Sequence, residues 1–238
     1  MSLYAVNGKV PVAAWIPSRD TAGNGTTTLT DLVGTNHGTL TNMDPATDWV
    51  ADTGAGGVRA LDFDGTNDRV SLPLNFNPNA NHSISCWAFA RNLFGGNQGF
   101  VAVTNTTNNS PRNIIGLQNN LAGPVYTRSG TELNSSVGIT ANTWFHVLSI
   151  YASTTMSIWV NGSFAGSSIN TTTDTFNTVS LGAWNRTTPA FFLNGRLDDI
   201  RIFNTALDAS DVAYLYNSGN GRGRIASNNQ TFQLGMPI

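Results

Sequence analysis

Asn194-Gly195-Arg196-Leu197-Asp198-Asp199-Ile200-Arg201-Ile202-Phe203-Asn204-Thr205-Ala206-Leu207 is the stretch on which the fold turns. A glycine-led turn opens it, and β-branched and aromatic residues then alternate with polar ones, the pattern of a strand over residues 196–204. Period two places Ile200 and Ile202 on one face and extends that face back to Asp198. With that face turned inward, Asp198 is a carboxylate at the margin of an apolar core, and it needs hydrogen bonds or a cation. The residues that follow, Asp208-Ala209-Ser210-Asp211-Val212-Ala213-Tyr214-Leu215-Tyr216, read as one short helix. Asp208 is its N-cap, Leu207 can staple against Val212, and Asn217 and Gly219 end it.

Upstream the chain reads as a succession of short strands. Residues 12–16 form an edge strand closed by Pro17, and residues 18–36 form a long Gly/Thr/Asn loop. Leu61 and Phe63 face one way and Asp62 and Asp64 the other, before turn residues lead to Val70 and Leu72. Ile84, Cys86 and Ala88 alternate with Trp87 and Phe89, apolar on both faces as in a central strand. Further strands are expected at Phe100–Val103, Ile114–Leu117, Val125–Thr127 and Trp144–Ile150. Met156, Ile158 and Val160 run into Asn161-Gly162, a two-residue hairpin signal. Val179, Leu181 and Ala183 make the penultimate strand. About thirteen strands with one short helix near the C-terminus predict an all-β, two-sheet antiparallel sandwich.

Several stretches, in order, resemble the laminin-G-like (concanavalin A-like) jelly rolls. They are Val12-Ala13-Ala14-Trp15, Asp31 to Leu40, Ala60-Leu61-Asp62-Phe63-Asp64-Gly65-Thr66-Asn67-Asp68-Arg69-Val70, Ser83-Ile84-Ser85-Cys86-Trp87, Trp144-Phe145-His146-Val147, Ile158-Trp159-Val160-Asn161-Gly162 and the closing strand and helix. The resemblance covers residues 10–217 and divides the chain into a jelly-roll domain, 1–217, and a C-terminal extension, 218–238. It implies the fold but little of the function, because this fold hosts lectins, adhesion modules, hydrolases and virion proteins. It also implies a structural Ca²⁺ held between the first and last strands, with Asp198 as the carboxylate ligand. The alternative is that Asp198 accepts backbone N–H groups or pairs with Arg59 or Arg69.

Charged residues make up 11% of the 238 residues, against about 25% in an average globular protein. Glu132 is the only glutamate and Lys9 the only lysine, and the net charge is −2. That balance predicts neither nucleic acid nor an anionic membrane as partner. A surface of Asn, Thr, Ser and Gly suits a protein exposed on a particle or outside a cell. Met1–Lys9 lacks the basic and apolar runs of a signal peptide, and no apolar stretch reaches spanning length. Cys86 is the only cysteine, so no intrachain disulfide forms. The extension ends in Phe232-Gln233-Leu234-Gly235-Met236-Pro237-Ile238, an apolar tag suited to docking on another subunit or else a frayed tail.

Catalytic signatures are sparse. Glycosidases need two carboxyl groups placed close together, and Glu132 stands alone in a loop. His37, His82 and His146 are scattered, without zinc-ligand spacing. No Gly-x-Ser-x-Gly elbow occurs. Aromatic side chains beside loops are the better lead, because sugar rings stack on them. Trp184, with Asn185 and Arg186, and Trp49 adjoin loops and are the ligand-binding candidates; the alternative is that each packs against its own loop. The first functional reading is therefore a non-catalytic structural or attachment protein of a phage-like virion, a capsid decoration or fibre module contacting other subunits. A secreted or surface carbohydrate-binding or adhesion module is the alternative, and a glycoside hydrolase stands third.

Overall fold

The computed structural model describes residues 4–51, 59–73, 75–119 and 121–219; the expected docking tag at 232–238 lies outside them. The strands of the first half are β1 (Ala13–Trp15), β2 (Thr28–Leu29), β3 (Gly38–Thr41), β4 (Trp49–Val50), β5 (Ala60–Asp64), β6 (Arg69–Pro73), β7 (His82–Ala90) and β8 (Gln98–Asn105). They are followed by β9 (Asn108–Leu117), β10 (Pro124–Arg128), β11 (Thr131–Asn134), β12 (Trp144–Ala152), β13 (Thr155–Val160), β14 (Ser163–Ile169), β15 (Thr178–Leu181) and β16 (Asn194–Phe203), and then by helix α1 (Ala209–Tyr216). One sheet has the order β14-β13-β12-β7-β16-β5-β4, with β1 added beside β16; the other has the order β11-β10-β9-β8-β15-β6-β3-β2. All pairings are antiparallel, so this is the expected two-sheet sandwich of jelly-roll type. The short strands β2, β3, β4 and β11 carry too little alternation to be read from the sequence.

The main core lies between the sheets, where Phe63, Ile158, Leu181 and Ile200 are buried with Trp15, Cys86, Val103 and Phe145. A second core lies on the outer face of the first sheet. There Leu148, Ile150 and Phe203 are covered by Leu207, Val212 and Leu215 of the helical segment and by Val6. Tyr216 stacks on Trp87, with ring centroids 6.0 Å apart. The helix begins as its sequence dictates: Asp208 accepts the N–H groups of Ser210 and Asp211, and the Asp211 carboxylate accepts the N–H of Asp208. Asn217 closes it in the left-handed conformation. Lys9, from an N-terminal turn, pairs with both Asp208 and Asp211. The helix therefore fills one outer face of the sandwich and leaves the outer face of the other sheet to loops.

β16 departs from simple alternation. Its first residues, 194–197, pair with β5, and residues 200–202 pair with β1. Between them the register against β7 shifts, and Asp199 takes φ 48°. This is a bulge. It inserts a residue between Leu197 and Ile200, which both reach the inter-sheet core, so Leu197 continues the core face that period two had assigned to Asp198.

At the end of β15 the chain turns through Gly182, at φ +75°. A Cβ there would lie 2.3 Å from the Phe63 ring. Gly182→Ala should therefore lower stability by about 1–3 kcal/mol, read as a lower midpoint in urea with an unchanged slope. A midpoint equal to that of the parent would show that the turn is not held against Phe63.

Candidate functional site

The segment 182–193, between β15 and β16, folds back over the outer face of the second sheet. Trp184 and Ala190 exchange backbone hydrogen bonds of 2.9 and 3.2 Å, which closes a small hairpin. Ser180 Oγ donates to the carbonyl of Ala183 and accepts the N–H of Asn185, pinning the base of the hairpin to β15. Trp184 lies on Ala102 of β8 and Ile114 of β9, and its ring meets Phe191 edge-on at 4.4 Å. Gly99 makes this possible, because a Cβ there would come within 2.5 Å of the indole. Phe191 is held at φ 57°, a conformation costly for a bulky side chain, while its carbonyl accepts the Gly99 N–H at 2.8 Å. Arg112 of β9 lies 6.0 Å from the Trp184 ring centre, and Arg186 lies 5.0 Å from that of Phe191.

On the other side of Phe191 opens a cleft of about 280 Å³, lined by Asp64, Asn92, Asn97, Gln98, Phe192 and Asn194 together with Gly95 and Gly96. Its amides are oriented by their neighbours. Gln98 Nε2 donates to the Asn92 carbonyl and side chain at 3.0 and 2.9 Å, while its Oε1 accepts the Asn194 N–H. Asn97 accepts the N–H of Asn119. Asp64, the only titratable residue in this lining, accepts the Thr66 N–H at 2.7 Å. Phe94, the residue before Gly95, is exposed. The result is a recess of amide donors and acceptors with aromatic rings at its edge, suited to hydroxyl-rich ligands.

The structure brings Trp184, Asn185 and Arg186 to this place, but Trp184 is only 7% exposed and is not an open stacking platform. Its own loop and the sheet cover both faces, so the accessible reading is corrected. Trp49 is corrected more fully. It pairs with Leu61 as part of β4, is 8% exposed, and donates its indole N–H to the Thr26 carbonyl at 3.0 Å. It belongs to the main core and does not line the cleft. Phe191, Asn92, Asn97 and Gln98 were missed. The run Pro189-Ala190-Phe191-Phe192, apolar inside a polar loop, was the available signal.

Sandwich, connectivity and helix together define a concanavalin A-like jelly roll. The sequence matches the Laminin_G_3 family, described as the concanavalin A-like lectin/glucanases superfamily, over residues 64–213, and the chain belongs to that family. No curated protein sequence matches it. Among solved structures, a Trypanosoma rangeli sialidase in complex with 2,3-difluorosialic acid is similar, with TM-score 0.67, 12% identity, and coverage of 90% of this chain and 34% of the sialidase. The chain thus spans about a third of that sialidase. Domain 4 of AbnA, an extracellular arabinanase from Geobacillus stearothermophilus, in complex with arabinotriose, is similar along 86% of this chain and 97% of that domain, with TM-score 0.62 and 18% identity. At these identities the likeness is one of fold.

The calcium that the family resemblance implied can be weighed at Asp198. The residue is 2% exposed at the bulge. Its Oδ1 accepts the Ser18 N–H at 3.2 Å, and the Ser18 hydroxyl and Asp199 N–H also donate to it. Neither Arg59 nor Arg69 pairs with it. Asp199 is committed to Arg201, at 2.6 Å. Among the described residues no three His, Cys, Asp or Glu side chains gather where a metal could be held. The partners that Asp198 meets here are the Ser18 and Asp199 donors. Burial, then the charge of Asp199, pushes its pKa from 3.8 up to about 7. The folded state therefore takes up this proton first, and the resulting stability, full below about 4, is lost as pH rises to about 7. His82 and His146, buried and held down at about 4, act oppositely, destabilising the fold as pH falls below 6.5. Asp198→Asn should gain in Tm relative to the parent as pH rises through that window, and a chelator should leave the parent's Tm unchanged. A constant difference between the two proteins would refute the titration, and a drop in Tm with chelator would restore calcium.

Proposed function

We propose that this protein is a non-catalytic glycan-binding module whose recognition site for neutral sugars is the cleft between the 92–98 loop, the β5–β6 turn and residues 191–194. The observation that carries the reading is the lining: four oriented amides and one carboxylate beside phenylalanine rings. Amides donate and accept at once, as vicinal hydroxyls require, and an aromatic edge packs against sugar C–H groups. A single lining carboxylate argues against the acid pair of a glycosidase. The arabinanase domain in complex with arabinotriose lends support, being a fold of comparable extent that holds a sugar.

The setting is the finer part of the proposal. A surface with 11% charged residues, rich in Asn and Thr, suits display outside a cell or on a phage-like particle, where the module would serve attachment beside other protein subunits. Binding is common to both settings.

Glycan-array screening followed by calorimetry tests the core of the reading. The parent should bind one or more oligosaccharides without releasing reducing ends, and Asn97→Ala with Phe192→Ala should weaken binding about tenfold or more. A folded parent that binds no glycan, or that cleaves the glycan it binds, would sink the proposal.

A further inference from the structure

The charges on the outer face of the second sheet are unbalanced. Elsewhere Arg91 and Arg196 share Asp62, and Arg201 grips Asp199. Arg112 and Arg186 have no carboxylate partner among the described residues. Arg186 donates its Nε to the carbonyl of Thr188 at 3.2 Å, which leaves the rest of its fork unused. Arg112 Nε is buried without an acceptor, and so is the indole N–H of Trp184, a residue more than nine-tenths buried. The Trp184–Phe191 pair links the two guanidinium groups, one beside each ring. Asn185, between them in the loop, makes its hydrogen bonds through its backbone. Two guanidinium groups therefore gather around this ring pair without a carboxylate among the described residues, the face's one glutamate, Glu132 of β11, being engaged by Gln118. Phe191, held at a costly φ of 57°, is half-buried, with its ring between this face and the cleft.

Two guanidinium groups flanking an aromatic pair suit a ligand that brings acceptors and negative charge on a ring-shaped body. Guanidinium forks pair with carboxylate or sulfate oxygens through two parallel hydrogen bonds, and a sugar ring packs on an aromatic face. We infer that the surface around Arg112, Trp184, Arg186 and Phe191 binds the anionic group of an acidic sugar, as a subsite beside the neutral cleft. The inference rests on the glycan-binding reading and narrows it to acidic glycans. Gly99 acts as a positioning residue, since a side chain there would displace the indole.

The probes are polygalacturonate, dextran sulfate and unsubstituted dextran, together with any neutral oligosaccharide found on the array, measured by affinity electrophoresis at low and high salt. The parent should bind at least one acidic polymer about tenfold more tightly than dextran, and salt should weaken that binding. Preference for polygalacturonate or for dextran sulfate identifies the anion as carboxylate or sulfate. Arg112→Gln with Arg186→Gln should remove the acidic preference while leaving circular dichroism and neutral binding unchanged, and Gly99→Ala should reduce it. A parent that binds neutral glycans but no acidic polymer more tightly than dextran overturns the inference and keeps the glycan reading. A parent that binds no glycan overturns both. A folded double variant with undiminished acidic preference, or one that loses neutral and acidic binding alike, also overturns the inference.

Discussion

β16 has to serve two partners in succession, β5 along its first residues and β1 along its last, while keeping β7 on its other side. A strand of uniform pleat would carry one face inward throughout and set Asp198 among core side chains. The bulge at Asp199 resolves this by letting Leu197 and Ile200 both face inward, with two carboxylates displaced from the inter-sheet layer. Each is then held. Asp199 forms a buried two-point contact with Arg201, Nε at 2.6 Å and Nη2 at 3.1 Å, while Arg201 also reaches the Tyr4 carbonyl. Asp198 takes donors from Ser18, just beyond β1. Buried ion pairs return little net stability; here the pair fixes a register, because a slip of one residue would strand both charges in the core.

With the bulge in place, β16 delivers the chain to the outer face of the first sheet, where α1 covers Leu148, Ile150 and Phe203. The two outer faces of the sandwich thereby acquire different roles. The helix and the N-terminal turn complete one as a second core. The other receives the 182–193 loop, whose hairpin sets Trp184 and Phe191 beside Arg112 of β9 and Arg186. The proposed binding chemistry thus falls on a loop backed by a rigid sheet, where side-chain identity can vary at small cost to the fold.

Much of this architecture was legible in the chain. The helix at 209–216, its Asp208 cap and its stop at Asn217 followed from local chemistry, in which each group meets partners only a few residues away. Core residues such as Phe63, Ile158 and Ile200 followed from alternation. The bulge was not legible, because two adjacent aspartates satisfy either phase of a strand and only the change of partner decides between them. Trp49 and Trp184 misled for a related reason. Each adjoins polar loop residues in sequence, yet Trp49 is recruited by pairing with Leu61, and Trp184 is drawn onto the sheet by the bare backbone of Gly99. The cleft draws on three loops distant in sequence, so no local pattern announces it.

The clasp of Lys9 on Asp208 and Asp211 places the chain's only lysine across the contact between its N-terminal turn and its last helix. Both described ends of the domain therefore lie on the side of the sandwich that carries the helix, away from the loop between β15 and β16. Traction applied through either end would strip this clasp and the helix before it reached the ladders of either sheet. The ion pairs and the helix would yield first; the β1–β16 ladder, with Ala13 opposite Ile202 and Trp15 opposite Ile200, lies behind them. The outer fastening is thus the weaker one, and the helix yields before the sheets do.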